Sequence, residues 1–287
     1  MNNENKTNIN WFPGHMAKTR RQITEDLKLI DVVVELLDAR IPISSQNPEI
    51  AQITNGKKKI IVLNKCDLSD EKENQKWVNY FNKKQIPVVL VDSNTGKGIE
   101  NCLKQIENIM QEDLEKHAQK GRIGRKIKVM VLGIPNVGKS SFINRIAKKT
   151  SAGVGNKPGV TKGKQWIRLN KNLELLDTPG ILWPKFEDQM VGLRLALIGA
   201  IKDEILNIDE LSLELIKVLT RDYAGILTDR YGVDETQTPV KILEQIAENR
   251  KCISKGNELD YSKAAALLID EFRGGKLGKI TLEWPQV

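Results

Sequence analysis

The residues Gly133-Ile134-Pro135-Asn136-Val137-Gly138-Lys139-Ser140 limit what this chain can fold into more than any other stretch. They fit G-x-x-x-x-G-K-[ST], follow an apolar, β-branched run at 127–132 and precede a helix-compatible segment at 141–148. A strand, a glycine-bearing loop and a helix in that order make a cradle for a triphosphate. Backbone N–H groups converge at the helix N-terminus, and glycine lets the backbone come close. Asn136, Val137, Gly138, Lys139, Ser140 and Ser141 are therefore expected to hold the nucleotide. Lys139 would neutralise the β- and γ-phosphates as a catalytic cation, and Ser140 would ligate Mg2+.

The rest of the first two-thirds repeats one pattern. Short apolar runs at 32–37, 60–63 and 88–91 end in the polar segments Asp38-Ala39-Arg40, Asn64-Lys65-Cys66-Asp67 and Asp92-Ser93-Asn94-Thr95. Between them, 71–84 and 99–114 have helical length and amphipathic period. Strands that are apolar at nearly every position, alternating with helices, predict a parallel sheet covered on both faces, with its ligand site at the carboxyl ends of the strands. Residues 165–169 and 173–176 are expected to be paired strands, and the basic stretch 116–128 a linker or exposed turn. From Trp183 onward the texture changes to helical periods at 190–201, 208–219, 240–249 and 261–272. The predicted domains are 1–182, a nucleotide-binding α/β domain; 183–204, a linker and first helix; and 205–287, a helical domain.

Asn64-Lys65-x-Asp67 has the chemistry needed to recognise guanine. A carboxylate accepts from the ring N–H and the 2-amino group together, a pair that adenine lacks, while the asparagine meets the base edge and the lysine stem covers its face. Entry of adenine would leave that carboxylate unpaired, a penalty worth a factor of roughly 10⁴. Ser93 is expected in the loop backing the base. Asp177-x-x-Gly180 suits a carboxylate that holds Mg2+, directly or through water, followed by a glycine whose N–H turns to the γ-phosphate. Thr161, in a Gly- and Lys-rich segment, is the candidate switch threonine, closing on Mg2+ only when the γ-phosphate is present.

The order of these motifs is unusual. Most G domains run from phosphate loop through switch threonine and D-x-x-G to N-K-x-D, whereas here N-K-x-D comes first. The chain is thus predicted to be circularly permuted, with its second switch joined directly to the C-terminal helices. Together with Trp11-Phe12-Pro13-Gly14-His15-Met16, Asp38-Ala39-Arg40 and a helical tail reaching Arg273-Gly274-Gly275, this order resembles the bacterial ribosome biogenesis GTPase A family from about residue 11 to the end. The resemblance implies an α/β fold: a circularly permuted Ras-like G domain with a six-stranded, mostly parallel sheet between helices, then a small all-helical RNA-binding domain. It also implies GTP hydrolysis during late assembly of the large ribosomal subunit, stimulated by that particle, with rRNA as partner. The position after Gly180 holds Ile181, which cannot orient a water. The resemblance implies His15 for that task, while the aromatic and Pro-Gly neighbours of His15 equally suit a segment pinned locally. Similarity to potassium-stimulated GTPases with the same loop implies K+ held with the help of Asn136.

Composition sets outer bounds. Lys and Arg number 45 against 37 Asp and Glu, a net charge of +8 and a pI near 9.2, which permits a polyanionic partner. Cys66, Cys102 and Cys252 lie far apart with no C-x-x-C pair, which argues against a disulfide framework or a zinc site. No apolar run reaches the roughly 18 residues of a membrane helix. The polar start lacks secretory or Arg-rich transit character, which favours the bacterial cytoplasm; a monomer in solution is the separate expectation for its assembly. A GTP-controlled RNA-binding module whose hydrolysis only resets binding is the alternative. A metabolic kinase is disfavoured, because N-K-x-D selects guanine and no acceptor site is evident.

Overall fold

The computed structural model describes residues 16–121, 124–151, 166–169, 171–178, 180–183, 186–254 and 256–285. They divide between two compact units, one within Phe12–Lys185 joined by Glu283–Val287, the other within Phe186–Leu282. His15 and Thr161 lie outside the described residues.

The first unit runs α1 (Met16–Leu27), β1 (Val32–Asp38), α2 (Pro48–Ile53), β2 (Lys58–Asn64), α3 (Glu71–Lys83), β3 (Val88–Val91), α4 (Ile99–Gln119), β4 (Ile127–Gly133), α5 (Lys139–Ser151), β5 (Trp166–Arg168) and β6 (Leu173–Leu176). Its six strands form one sheet in the order β3-β2-β1-β4-β6-β5. Every neighbouring pair is parallel except β5 with β6. All seven residues of β1 are buried, as a central strand covered on both faces requires. One face carries Val33, Met130, Leu132 and Leu176 under Ile23 and Leu27 of α1, and Leu37, Ile61 and Leu63 under Trp77 and Phe81 of α3. Lys58, on the opposite face, donates to Ile109 O (2.7 Å) and pairs with Asp113 (2.9 Å), both on α4.

Local chemistry sets the helix starts. Asp70 caps α3 by accepting from Lys72 N and Glu73 N, and Asn47 caps α2 ahead of Pro48 at its first turn. The fourth helix continues to Gln119, so the front of the basic 116–128 stretch is helical. Lys116 and His117 sit in its last turn, where the helix dipole favours positive charge.

After Trp183 the chain enters the helical unit: α6 (Gln189–Leu197), a 3-10 turn at Asp203–Ile205, α7 (Ile208–Asp222), α8 (Ile226–Tyr231), α9 (Pro239–Asn249) and α10 (Tyr261–Arg273). Leu211, Leu215 and Leu219 recur at the spacing of one helix face, and with Ile242, Ile246, Leu268 and Phe272 they are buried. Glu271 receives Arg230 in a two-pronged ion pair (2.9 and 2.7 Å) and the hydroxyl of Tyr231 (2.9 Å).

The chain then returns to the first unit. Glu283 accepts from Ile43 N (2.7 Å), Ser44 N (3.0 Å) and Ser44 Oγ (2.6 Å), and its carbonyl accepts from Trp77 Nε1 (3.1 Å). The tail thereby pins the loop between β1 and α2.

Candidate nucleotide site

Because β1, β2, β3, β4 and β6 are parallel, their carboxyl ends lie along one edge of the sheet. Asp38 and Asn64 end adjacent strands in register, and Asn64 is paired in turn with Val91. The sheet therefore brings together Asp38–Arg40, Asn64–Asp67, Asp92–Lys97, the phosphate loop and Asp177 at the exit of β6, segments far apart in sequence.

The phosphate loop closes on the second of these segments. Asn64 is buried, donates through Nδ2 to Val137 O (2.8 Å) and accepts through Oδ1 from Ser93 Oγ (2.7 Å). Lys65 Nζ donates to Asn136 O (2.7 Å). Gly138 has φ +93°, and a side-chain carbon there would stand 2.4 Å from Asn64 Nδ2, so the close approach of the two loops needs a glycine. Asn136 and Lys65 are themselves left-handed, at φ +57° and +58°. Such backbone persists only where surrounding contacts over-determine it, and the two residues joined by a hydrogen bond supply that support.

Phe142 N donates to Gly138 O, so the first turn of α5 starts from the loop. Val137 is buried, while Asn136, Ser140 and Ser141 are exposed. Lys139 Nζ stands 2.7 Å from Asp177 Oδ1. Asp177 is held at the exit of β6 because Thr178 Oγ1 donates to Val131 O (2.6 Å). Ile181 is 1% exposed, packed among Ile23, Leu176 and their neighbours, and donates its N–H to Gly133 O. Its side chain belongs to the core.

Mg2+ in nucleotide sites takes one or two protein oxygens and completes its shell with phosphate and water. The exposed hydroxyl of Ser140 and carboxylate of Asp177 are oxygens of that kind, and they fit such an ion.

Asp67 has a different character. Its Oδ1 is shut off from solvent and has no hydrogen-bond partner among the described residues. Burial acts most strongly on this carboxyl and pushes its pKa up, helped by the Asp92 and Asp38 charges; its own backbone N–H and the Arg40 charge pull the other way without cancelling that rise. An acceptor without donors is costly to bury, so the site is matched to a ligand edge that brings N–H groups.

Several residues of this neighbourhood carry no motif. Arg145, in the middle of α5, donates from Nε to Ser93 O (3.1 Å) and ties the helix to the loop that holds Ser93. Asp92 accepts from Asn94 N (2.8 Å) and from Thr95, closing the turn. Burial raises the Asp92 pKa, but these bonds and Arg145 outweigh it and bring it below the usual value. Asp38 and Arg40 were legible as a strand end and loop; the contact of Asp38 with Lys65 was not.

Residues 128–254 match the family described as 50S ribosome-binding GTPase. The chain is 47% identical over 279 residues to ribosome biogenesis GTPase A of Bacillus cereus, spanning 97% of this chain and 94% of that one. The corresponding protein of Bacillus licheniformis is 45% identical, over 97% of this chain and 99% of its own. Among solved structures, GNP-bound YlqF from T. maritima superposes with a TM-score of 0.68 at 28% identity, covering 94% of this chain and 99% of the other. With strand order, motif order and these similarities in agreement, the protein has a circularly permuted G domain, belongs to the ribosome biogenesis GTPase A family and is a GTP phosphohydrolase.

Proposed function

We propose that this GTPase acts in late assembly of the large ribosomal subunit, binding rRNA through its helical unit and hydrolysing GTP faster on the particle than free. The observation that carries the nucleotide part is the buried Oδ1 of Asp67, which has no hydrogen-bond partner among the described residues, on a loop tied by Asn64 and Lys65 to the phosphate loop. Asp67 accepts from guanine, Asn64 and Ser93 hold the base-side loops, and Lys65 covers the base. Asn136, Val137, Gly138, Lys139, Ser140 and Ser141 take the phosphates, with the Gly180 N–H on the γ-phosphate. Mg2+ is held by Ser140, Thr161 and Asp177, and K+ near Asn136.

Burial of Ile181 supports a water-orienting group from elsewhere in the chain, and His15 is the one proposed. The net charge of +8 and the names of the relatives support a ribosomal partner, contacted through phosphates and hence sensitive to salt. Among the described residues no helix is long and apolar enough to cross a membrane. The protein is proposed to work as a monomer in the bacterial cytoplasm.

The test is GTP turnover by the wild type and His15→Ala, each with and without large subunits, in potassium buffer. The proposal expects free turnover on the order of 10⁻⁴ to 10⁻² s⁻¹, a many-fold rise on subunits for the wild type, and no rise for the variant at normal GTP affinity. No response of the wild type would remove the large subunit as its partner. A flat, near-zero turnover with intact GTP-dependent RNA binding would make hydrolysis a reset.

A further inference from the structure

Among the described residues of the first unit, Asp38 and Arg40 are the most deeply buried charges, at 0% and 1% exposure. Arg40 grips Asp38 with Nε on Oδ1 (2.9 Å) and Nη2 on Oδ2 (2.9 Å), and its own N–H also donates to Oδ1 (3.1 Å). Such a pair is a poor source of stability, because removing two ions from water offsets their attraction, and apolar replacements are often neutral. Its presence at the end of a central strand asks for another explanation.

Lys65 provides one. Its Nζ stands 3.2 Å from Asp38 Oδ2 while donating to Asn136 O at 2.7 Å. A lysine side chain carries about 2 kcal/mol of rotamer entropy. Held at its tip by a carboxylate that Arg40 itself immobilises, Lys65 has that freedom removed before any nucleotide arrives. Burial pushes the Asp38 carboxyl up, yet Arg40 and Lys65 outweigh burial and hold it well below the usual carboxylate range, so the anchor stays charged.

We infer that the Asp38–Arg40 pair is a positioning device for nucleotide binding, aiming Lys65 so that the base-reading loop and the phosphate loop are locked together. Neither residue of the pair touches the nucleotide; both act through Lys65. The inference rests on the assignment of Asn64, Lys65 and Asp67 to the base site.

Asp38→Asn alone would strand the Arg40 charge in the core, so the informative variant is the uncharged pair Asp38→Asn/Arg40→Gln. GDP affinity is titrated at fixed Mg2+ for the wild type, this pair, Lys65→Met and the triple variant, with thermal unfolding recorded for each. The expected result is about tenfold weaker GDP binding by the pair, a coupling near 1.4 kcal/mol, with the triple variant no weaker than Lys65→Met. Equal losses in both Lys65 backgrounds would make the pair merely structural and overturn the inference. So would wild-type affinity in the folded pair variant with Lys65→Met still weak, which leaves the base-site assignment standing. Wild-type affinity in Lys65→Met would overturn both.

Discussion

Two glycines with similar backbone and opposite surroundings give a sharp test of how the phosphate loop is built. Gly138 (φ +93°) and Gly56 (φ +78°) both occupy left-handed backbone, so alanine at either costs about 1–2 kcal/mol in strain. At Gly56 nothing lies within 4 Å of the added carbon, and the cost ends there. At Gly138 the carbon would stand 2.4 Å from Asn64 Nδ2, well inside contact distance. Asn64 must then move, breaking its bond to Val137 O and that from Ser93, two bonds in a buried setting. Leaving such groups unsatisfied costs about 1–3 kcal/mol in addition. Gly138→Ala should therefore lose about 2–5 kcal/mol against about 1–2 for Gly56→Ala. The readouts are urea unfolding and GDP titration. GDP affinity should fall more than about tenfold for Gly138→Ala, from the loss of loop geometry, and stay unchanged for Gly56→Ala. Equal destabilisation of the two variants with normal GDP binding in both would refute the close approach of Asn64 as the reason for the glycine.

Further outcomes follow from other parts of the molecule. Glu283→Ala removes the acceptor for the N–H groups of Ile43 and Ser44 and should cost about 1–3 kcal/mol by thermal unfolding; an unchanged melting temperature would show that the tail is not held there. Arg230 above all, joined by Tyr231, lowers the Glu271 pKa from 4.5 to about 2. Its folded value lies below its unfolded one, so its contribution is full above about pH 4.5 and lost as pH falls towards 2. Glu271→Gln should flatten that limb of the stability–pH curve, and an identical acid limb in the variant would contradict the assignment. The raised pKa of Asp67 means that guanine-nucleotide affinity should begin to fall, on acidification, at a higher pH than an ordinary aspartate would give; an affinity flat down to the ordinary aspartate range would count against Asp67 as the acceptor.

Much of the G domain was readable because buried parallel strands leave a simple trace. The runs at 32–37, 60–63, 88–91 and 127–132 are apolar at nearly every position, and all became strands β1 to β4. The motif order then implied the permuted connection of the same sheet, and the observed strand order agrees. Short helices were harder. α2 spans Pro48–Ile53 and α8 Ile226–Tyr231, six residues each, too short for a periodic signal. Asn47-Pro48 was nevertheless a usable clue, a capping residue before a proline at the first turn. Contacts made by the tips of side chains across long sequence gaps leave no trace at all. Lys65 meets Asp38 and Asn136 only because three strands end on one edge, and Glu283 reaches Ser44 across 239 residues. Arg145 looked like any polar residue on a helix, yet it holds the carbonyl of Ser93.

The most direct test of the account is the base preference of the Asp67→Asn variant, measured as affinities for GTP and xanthosine triphosphate beside those of the wild type. If Asp67 accepts from the guanine edge, the amide should weaken GTP and strengthen xanthosine triphosphate, whose 2-oxo group meets the new donor, reversing the preference. A variant that still prefers GTP by the wild-type ratio would contradict the claim that the Asp67 carboxylate reads the base.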